Sequence, residues 1–283
     1  MPEIEIAAGT IHYEDTGGDG PVVVLLHGLI MDHTQWRKVL PELGDYRCVL
    51  PTLPLGAHRT PMKPGTDLTL PGQVRIVADF LDALELRDVT LVCTDWGGGM
   101  LLTHFGRDDR VARLVLCPCE AFDNYPPGLP GKMALIAARM PGGITLALRQ
   151  LRIGWLRRSR LLFGWMAKRP LDDELVHGWT APGLASKAVR SDLRAYATSP
   201  LVDSELIEMT ESLERFSGPA LVVWASEDKV MPREHGRRLA DLLPNGRLVE
   251  VPDSYVLMQE DQPELLARHL REFLTETSVR AAA

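Results

Sequence analysis

The chain has 283 residues, a hydrophobic fraction of 45% and a formal net charge of -7, which suits one α/β domain with an insertion or two small domains. This acidic balance argues against nucleic acid as a binding partner, because nucleic acid binds to basic protein surfaces. Because no apolar run approaches a membrane span, we expect no membrane partner either. The acidic N-terminus (MPEIE) lacks the profile of a signal peptide, so a cytoplasmic location is expected.

The cysteines predict structural thiols. Cys48, Cys93, Cys117 and Cys119 lie within apolar runs or at their ends, where reduced, buried cysteines are common. Cys117-Pro118-Cys119 is too tightly spaced for a CxxC pair, and no second pair exists. We expect no metal and no cofactor.

Short apolar runs alternate with helical patterns along most of the chain. In chain order, the predicted elements are a hairpin (4–7 and 10–14), strands at 22–26 and 46–50, a helix at 70–84, a strand at 89–92, a helix at 97–105, strands at 112–116 and 221–224, a helix at 234–243, a strand at 247–251 and a helix at 263–274. The strand at 22–26 is apolar at every position, as expected of a strand covered on both faces. The alternation predicts a parallel sheet flanked by helices.

The alternation stops between residues 120 and 217, where prolines separate helical pieces and no good strand occurs. We therefore predict a core domain formed by 1–119 and 218–283, and a helical cap or lid formed by 120–217. Within the lid, residues 149–169 interleave arginines and lysines with large apolar side chains. This pattern indicates an amphipathic helix pair with a solvated basic face; an anionic substrate or partner is the alternative.

Asp95 occupies the position that a sharp strand-to-helix turn gives to a nucleophile. Cys93 and Gly97 flank it at minus two and plus two, and such turns need small residues there because backbone and helix approach closely. The alternative is that Asp95 merely caps the next helix. Three glycines at the start of a helix are costly, so capping alone explains little of the pattern.

Two further segments support a catalytic site. His27-Gly28-Leu29 follows an apolar strand, and a turn there can aim the amide of Leu29, together with that of Trp96, at a developing oxyanion. His27 is expected to hold this loop by hydrogen bonds. Asp228 follows the strand at 221–224, where an acid can orient a histidine.

In this order of motifs the chain resembles the α/β-hydrolase superfamily over nearly its whole length. Asp95-Trp96-Gly97-Gly98 looks like the haloalkane dehalogenase and epoxide hydrolase branches, whose nucleophile is aspartate. The resemblance implies an α/β-hydrolase fold with a mostly parallel central sheet, flanking helices and a helical lid insertion. It also implies attack of the carboxylate on an sp³ carbon, then cleavage of the ester by a histidine-activated water, with Trp96 binding the leaving halide.

The family's histidine is missing from this chain. The stretch 259–264 (QEDQPE) resembles the family's sequence after that histidine, and counting back from it places Tyr255-Val256 at the usual Gly-His. Valine has no lone pair to accept a proton from water. Because loss of one triad member costs roughly 10⁴ to 10⁶ in turnover, ordinary two-step hydrolysis is expected to be crippled.

Other residues are candidates for binding substrate or replacing lost groups. His33 lies closest to the expected mouth of the site by analogy with the fold, and Glu120 is an alternative acid after the strand at 112–116. Lid side chains and the vacated position supply the rest: Tyr125, Trp155, Trp179, Tyr196, Tyr255 and Val256. The lid tryptophans are candidates for binding a halide, with core packing of the lid as the alternative. Tyr196 and Tyr125 are candidates for protonating an epoxide oxygen, and Tyr255 for filling space or donating a hydrogen bond in the pocket.

Three functions are compatible with these residues. The first is hydrolysis of a small, largely apolar halide, epoxide or ester through Asp95 and a non-standard base. The second is a non-hydrolytic cyclase, isomerase or lyase, of a kind suited to secondary metabolism, in which Asp95 acts as base or anchor. The third is a degenerate hydrolase that only binds a ligand. We expect a small-molecule substrate; the oligomeric state is open, with a homodimer among the options.

Overall fold

One sheet organises the molecule. The computed structural model describes residues 1–96 and 98–282. Within them the strands are β1 (Glu3–Ile6), β2 (Gly9–Asp15), β3 (Val22–Leu25), β4 (Arg47–Thr52), β5 (Val89–Asp95), β6 (Val111–Cys119), β7 (Ala220–Ala225) and β8 (Gly246–Val251). The spatial order is β1-β2-β4-β3-β5-β6-β7-β8. The pairs β1·β2 and β2·β4 are antiparallel, and the others are parallel, which confirms the predicted fold.

Helices cover both faces of this sheet. The α-helices are α1 (Leu70–Ala83), α2 (Gly128–Arg139), α3 (Gly143–Leu151), α4 (Gly154–Arg157), α5 (Asp173–Ala185), α6 (Lys187–Ala197), α7 (Asp203–Glu211), α8 (Arg233–Leu242), α9 (Met258–Asp261) and α10 (Pro263–Ala282). Short 3₁₀ helices occupy His33–Trp36, Leu40–Leu43, Gly98–Thr103, Phe163–Trp165 and Ser212–Arg215.

The strand β5 shows how the sheet separates two apolar layers. Its Leu91 packs in the layer that contains α1 and most of the helical insertion, whereas Val92 packs in the layer formed with Trp36 and α10. Successive side chains of a strand point to opposite faces, so an apolar strand covered on both sides is the expected sequence pattern. The end of β5 therefore emerges from the centre of the core.

The helix predicted at 97–105 differs from the observed one. The structure has a 3₁₀ helix from Gly98 to Thr103, and Gly97 lies outside the described residues, as does Ala283. Glycines have low α-helical propensity, which accounts for the weak start of this helix. At the C-terminus, α10 continues to Ala282, well past the predicted end at residue 274.

Every regular element described in the insertion between β6 and β7 is a helix, with loops between the helices and no strand. The indole Nε1–H of Trp179 on α5 ties it to the core by donating to Thr34 Oγ1 at 2.9 Å. A second tie joins His58 Nε2 and Asp192 Oδ2 on α6 at 3.0 Å. The division into a core domain and a lid domain stays a prediction.

Two further properties concern cysteines and membranes. Cys48, Cys93, Cys117 and Cys119 are free and buried, and burial raises the pKa of each thiol. Such thiols are poor nucleophiles because the thiolate is the reactive form.

Among residues 1–96 and 98–282, no helix is long and apolar enough to cross a membrane.

Candidate active site

Asp95 ends β5 in a strained turn. Its φ of +63° lies in the left-handed region, which is uncommon for residues other than glycine and marks a special backbone position. The turn has room only for small neighbours: a Cβ on Gly98 would overlap the ring of Trp96, and one on Gly28 would lie 2.6 Å from Asp95 Oδ2. These glycines let the carboxylate and the indole occupy the space that side chains would fill.

The Asp95 carboxylate is buried and accepts one hydrogen bond among the described residues. The backbone N–H of Leu29 donates to Oδ2 at 2.7 Å, and the residue is 6% exposed. Burial raises the pKa of Asp95 to about 6, against the lowering effect of the Leu29 N–H. At neutral pH the carboxylate is therefore mostly ionised, yet more basic than an ordinary aspartate.

A cavity of about 400 Å³ lies over this carboxylate. Asp95, Trp96 and Leu29 line it from the core. Most of the wall comes from apolar side chains of α2, α3 and residues 156–166 of the insertion. The size and lining suit a small, largely apolar molecule.

Glu120 brings a second carboxyl group to the same cavity. It follows β6, and its backbone N–H donates to the main-chain oxygen of Asp95 at 2.8 Å. Burial raises the pKa of Glu120 well above its usual value, and the nearby Asp95 charge adds to the rise. Two neighbouring carboxyls whose surroundings favour different protonation states can act as an acid and a base: burial and the Asp95 charge favour the protonated form of Glu120.

Two tyrosines surround Glu120. The hydroxyl of Tyr196 on α6 donates to Glu120 Oε2 at 3.3 Å, and its ring packs edge-on against Trp96 at 6.3 Å between centroids. Tyr125 also lines the cavity. Burial and the Glu120 charge raise the pKa of both phenols, so both remain protonated donors.

Asp228 lies after β7 and does not line the cavity. Its Oδ1 accepts the N–H groups of Val230 and Met231 at 2.7 and 2.8 Å. Its Oδ2 is buried and has no hydrogen-bond partner among the described residues. Burial raises the pKa of Asp228 to about 7; the Asp95 charge adds to the rise, and the backbone donors oppose it.

Val256 and Tyr255 are also outside the cavity wall. Val256 is fully buried in the apolar core after β8. The Tyr255 ring lies under the ammonium groups of Lys168 and Lys229, 5.8 and 4.6 Å from its centroid. Its backbone N–H donates to Asp261 Oδ2 at 3.0 Å, so Tyr255 helps to order the loop where the family carries histidine.

No histidine lines the cavity among the described residues. His27 Nε2 accepts the N–H of Leu53 at 2.7 Å, and its Nδ1 lies 2.8 Å from the Gly28 carbonyl oxygen. Burial lowers the pKa of His27 to about 4, so the ring is neutral, with Nδ1–H as the donor. His33 Nδ1 instead lies 3.2 Å from Thr52 Oγ1.

The two candidate tryptophans of the insertion point elsewhere. Trp155 on α4 is 76% exposed, and Trp179 is buried and donates to Thr34. Neither lines the cavity. Of the sequence candidates, the structure brings together Asp95, Trp96, Leu29, Glu120, Tyr125 and Tyr196.

Sequence reasoning missed the part of the wall that the insertion supplies. Examples are Met133 on α2 and Met140 just after it, Leu146 on α3, and Phe163 and Met166 farther along. These residues belong to apolar patterns in the sequence, which indicate an apolar face on each helical piece. The patterns do not tell whether that face meets a cavity or solid core.

The family model described as "Alpha/beta hydrolase family" matches residues 23–269. The chain belongs to the alpha/beta hydrolase family. This places it among enzymes and agrees with the sheet order and the Asp95 turn. In alpha/beta hydrolases that cleave their substrates by nucleophilic attack, the residue at this turn is the nucleophile.

Relatives of the chain have several activities. It is 26% identical to a cis-3-alkyl-4-alkyloxetan-2-one decarboxylase from Shewanella oneidensis, covering 96% of this chain and 87% of the relative. It is also 26% identical to a haloalkane dehalogenase from Mesorhizobium japonicum, covering 97% and 91%. The family is therefore established, whereas the reaction differs among its members.

Solved structures show the same fold. A haloalkane dehalogenase loop variant from Bradyrhizobium elkanii superposes with a TM-score of 0.79 at 19% identity, covering 100% of this chain and 98% of the other. A haloalkane dehalogenase from Agrobacterium tumefaciens gives 0.75 at 24% identity, covering 97% and 96%. At these identities the likeness supports the architecture alone.

Proposed function

We propose that this enzyme transforms a small, apolar, strained electrophile through the Asp95 carboxylate, in a reaction that needs no histidine-activated water. The observation that carries the proposal is the Asp95 carboxylate in an apolar cavity whose described lining contains no histidine. We favour a cyclic ester as the substrate class. A cytoplasmic location and a role in secondary metabolism remain predictions.

The electrostatics of Asp95 suit such chemistry. Among the described residues, the Asp95 carboxylate accepts one hydrogen bond, from the backbone N–H of Leu29. With a pKa of about 6 it is mostly ionised at pH 7, so it can act as nucleophile or base. When negative charge moves from Asp95 to the substrate, the Leu29 N–H can donate to the oxygen that receives it. The Glu120 carboxyl and the Tyr196 hydroxyl lie on the same cavity, and each can donate to a carbonyl or ring oxygen when it carries its proton.

The missing base disfavours hydrolysis as the main reaction. Water attack on an Asp95 ester needs a group that takes the proton, and the raised pKa of Glu120 favours the form that already carries one. Asp228 is outside the cavity. Removing the base from a triad costs roughly 10⁴ to 10⁶ in turnover, so the ester would persist.

A reaction without water avoids this requirement. The relative from Shewanella oneidensis is by name a decarboxylase of an oxetan-2-one. Loss of carbon dioxide from that four-membered lactone breaks one ring C–O and one ring C–C bond and leaves an alkene, with no water consumed. We propose the same reaction class for this chain, on a ring whose substituents fit about 400 Å³.

The test measures product and covalent adduct together. Purified protein is incubated with cis-3,4-dialkyl-oxetan-2-ones of graded chain length, and alkene is measured by gas chromatography. Parallel samples with 1-bromoalkanes are analysed by intact mass. We expect alkene from the lactones and a lasting alkyl adduct from the bromides, without multiple turnovers of halide.

Asp95→Asn is the decisive variant, because asparagine also tolerates the left-handed backbone. It should lower the rate by roughly 10⁴ and abolish the adduct. Asp241→Asn, an exposed change on α8, is the matched control and should leave both unchanged. Full activity in Asp95→Asn would refute the proposal, and absence of product and adduct at all chain lengths would favour the ligand-binding alternative.

Hydrolysis with Glu120 as the non-standard base is a second candidate. The observation that favours it is the Asp95 charge, which contributes to the raised pKa of Glu120. Esterification of Asp95 removes that charge, so the pKa of Glu120 would fall at the stage when a base is needed. Multiple turnovers of bromide in the wild type, with accumulation of the adduct in Glu120→Gln, would support this candidate over the first.

A further inference from the structure

One segment of the insertion has an unusual charge for this acidic chain. Between Asp123 and Asp172 the sequence contains nine lysines and arginines and no aspartate or glutamate. The chain as a whole has a net charge of -7. Positive charge is therefore concentrated in the segment that forms α2, α3 and α4.

Part of this charge is neutralised within the fold. Arg157 is buried and pairs with Asp173, and Lys168 pairs with Glu227 and Asp253 at 2.7 and 2.8 Å. Five basic residues are exposed and form no ion pair with the described residues: Lys132, Arg139, Arg149, Arg158 and Arg160.

Large apolar side chains are exposed on the same segment. Six residues between 136 and 161 are more than two-fifths exposed: Ile136 (48%), Met140 (53%), Leu146 (56%), Ile153 (43%), Trp155 (76%) and Leu161 (42%). Only Met1 and Val202 share this property elsewhere among the residues with described exposure. Clustered exposed apolar residues mark a binding surface. We call these six residues and the five exposed basic ones the lid face.

The lid face is continuous with the cavity. Ile136, Met140, Leu146 and Leu161 are exposed and also line the cavity over Asp95. These four side chains therefore join the surface to the cavity that holds the carboxylate, along an apolar path. A surface of this kind is useful where the substrate is dissolved in lipid.

We propose that the lid face docks on an anionic phospholipid surface and takes apolar substrate directly from the bilayer. Interfacial helices combine lysine and arginine with tryptophan and leucine in this way, and basic residues near anionic lipid each contribute attraction. Acidic groups farther away are screened beyond about 10 Å at 0.1 M salt. The proposal replaces the expectation of no membrane partner, which concerned only spanning segments.

Vesicle co-sedimentation tests the charge component. Wild-type protein is mixed with vesicles of phosphatidylcholine alone or of phosphatidylcholine and phosphatidylglycerol in a 3:1 ratio. We expect binding to the anionic vesicles that weakens with added salt. Arg158→Glu combined with Arg160→Glu should lower partitioning by roughly tenfold or more, whereas the matched pair Arg268→Glu and Arg271→Glu on α10 should have little effect.

Trp155 tests the apolar component. Anionic vesicles should shift the tryptophan emission of the wild type to shorter wavelength, and Trp155→Phe should lose most of the shift. Trp155→Ser should weaken partitioning, whereas Val202→Ser, an exposed apolar residue outside the lid face, should not. Thermal melts compare the folding of all variants.

Three results would overturn the proposal. The first is equal partitioning onto neutral and anionic vesicles or onto neither. The second is equal loss in the lid-face variants and their controls. The third is light scattering that shows a wild-type dimer dissociated by Trp155→Ser without vesicle binding, which would assign the lid face to a contact between copies of the chain.

Discussion

Replacement of Asp228 by asparagine should stabilise the fold above neutral pH. The Asp228 Oδ2 atom is buried without a partner among the described residues, and burial raises its pKa from 3.8 to about 7. In the unfolded chain this carboxyl ionises near its ordinary pKa. Folding therefore favours the protonated form, and charge on Asp228 opposes the native state.

The sign and size of this change in the free energy of unfolding follow from proton linkage. Between about pH 4 and 7 the folded chain binds more protons than the unfolded chain, so stability falls as pH rises through this window and the full cost is present above it. A shift of about three pKa units corresponds to about 4 kcal/mol. Asparagine keeps the acceptor for Val230 and Met231 but leaves an unpartnered amide, which costs about 1–3 kcal/mol. The net gain is about 1–3 kcal/mol at pH 8, and it becomes a net loss of about 1–3 kcal/mol near pH 4, where only the amide cost remains.

Urea unfolding at pH 4.5, 6 and 8 measures this gain, with Asp241→Asn as an exposed control. A difference between Asp228→Asn and wild type that does not change with pH would refute the reasoning. Activity gives a second readout. Because no described histidine contacts Asp228, its replacement should change turnover only a few-fold; a loss near 10⁴ would reveal a base that Asp228 orients.

Three further predictions concern the site and its lid. Val256→His places an imidazole on the loop after β8, next to the strand that leads to Asp228, and should let bromide turn over many times; an adduct that persists would contradict the assigned position. The rate of alkylation of Asp95 should rise with pH through about 6, as its carboxyl ionises, and level off above; a midpoint near 4 would contradict the raised pKa. Trp179→Phe removes the bond to Thr34 and should lower stability by about 1 kcal/mol, seen as faster proteolysis of the insertion; unchanged proteolysis would show that this bond does not hold the lid.

The fold could be predicted from the sequence because its signals are local. Most of the parallel strands contain a short apolar run such as 22–26, and the alternation with helices specifies the architecture. Asp95 was also predictable as the residue at the turn, because the turn needs small neighbours. A side chain at Gly28 would collide with Asp95, and one at Gly98 would collide with Trp96. These features depend on residues that are near each other in the chain or at the ends of neighbouring strands.

The cavity was less predictable because it depends on how the insertion packs. Trp155 and Trp179 have the same chemistry in the sequence, yet one is exposed and the other donates to the core. The pairing of Tyr196 with Glu120 likewise joins residues far apart in the chain. No periodicity specifies such a contact, since it requires the relative placement of α6 and the sheet.

The link between the ends of β5 and β6 has a consequence for what can leave the site. Because the Glu120 N–H bonds to the Asp95 main-chain oxygen, the two residues are held side by side in an apolar space. A carboxylate product would be repelled by the Asp95 charge, whereas an uncharged hydrocarbon would feel no such force and would leave only by partitioning. The site therefore sorts its products by charge, so release of a neutral product should become slower as its alkyl chains lengthen.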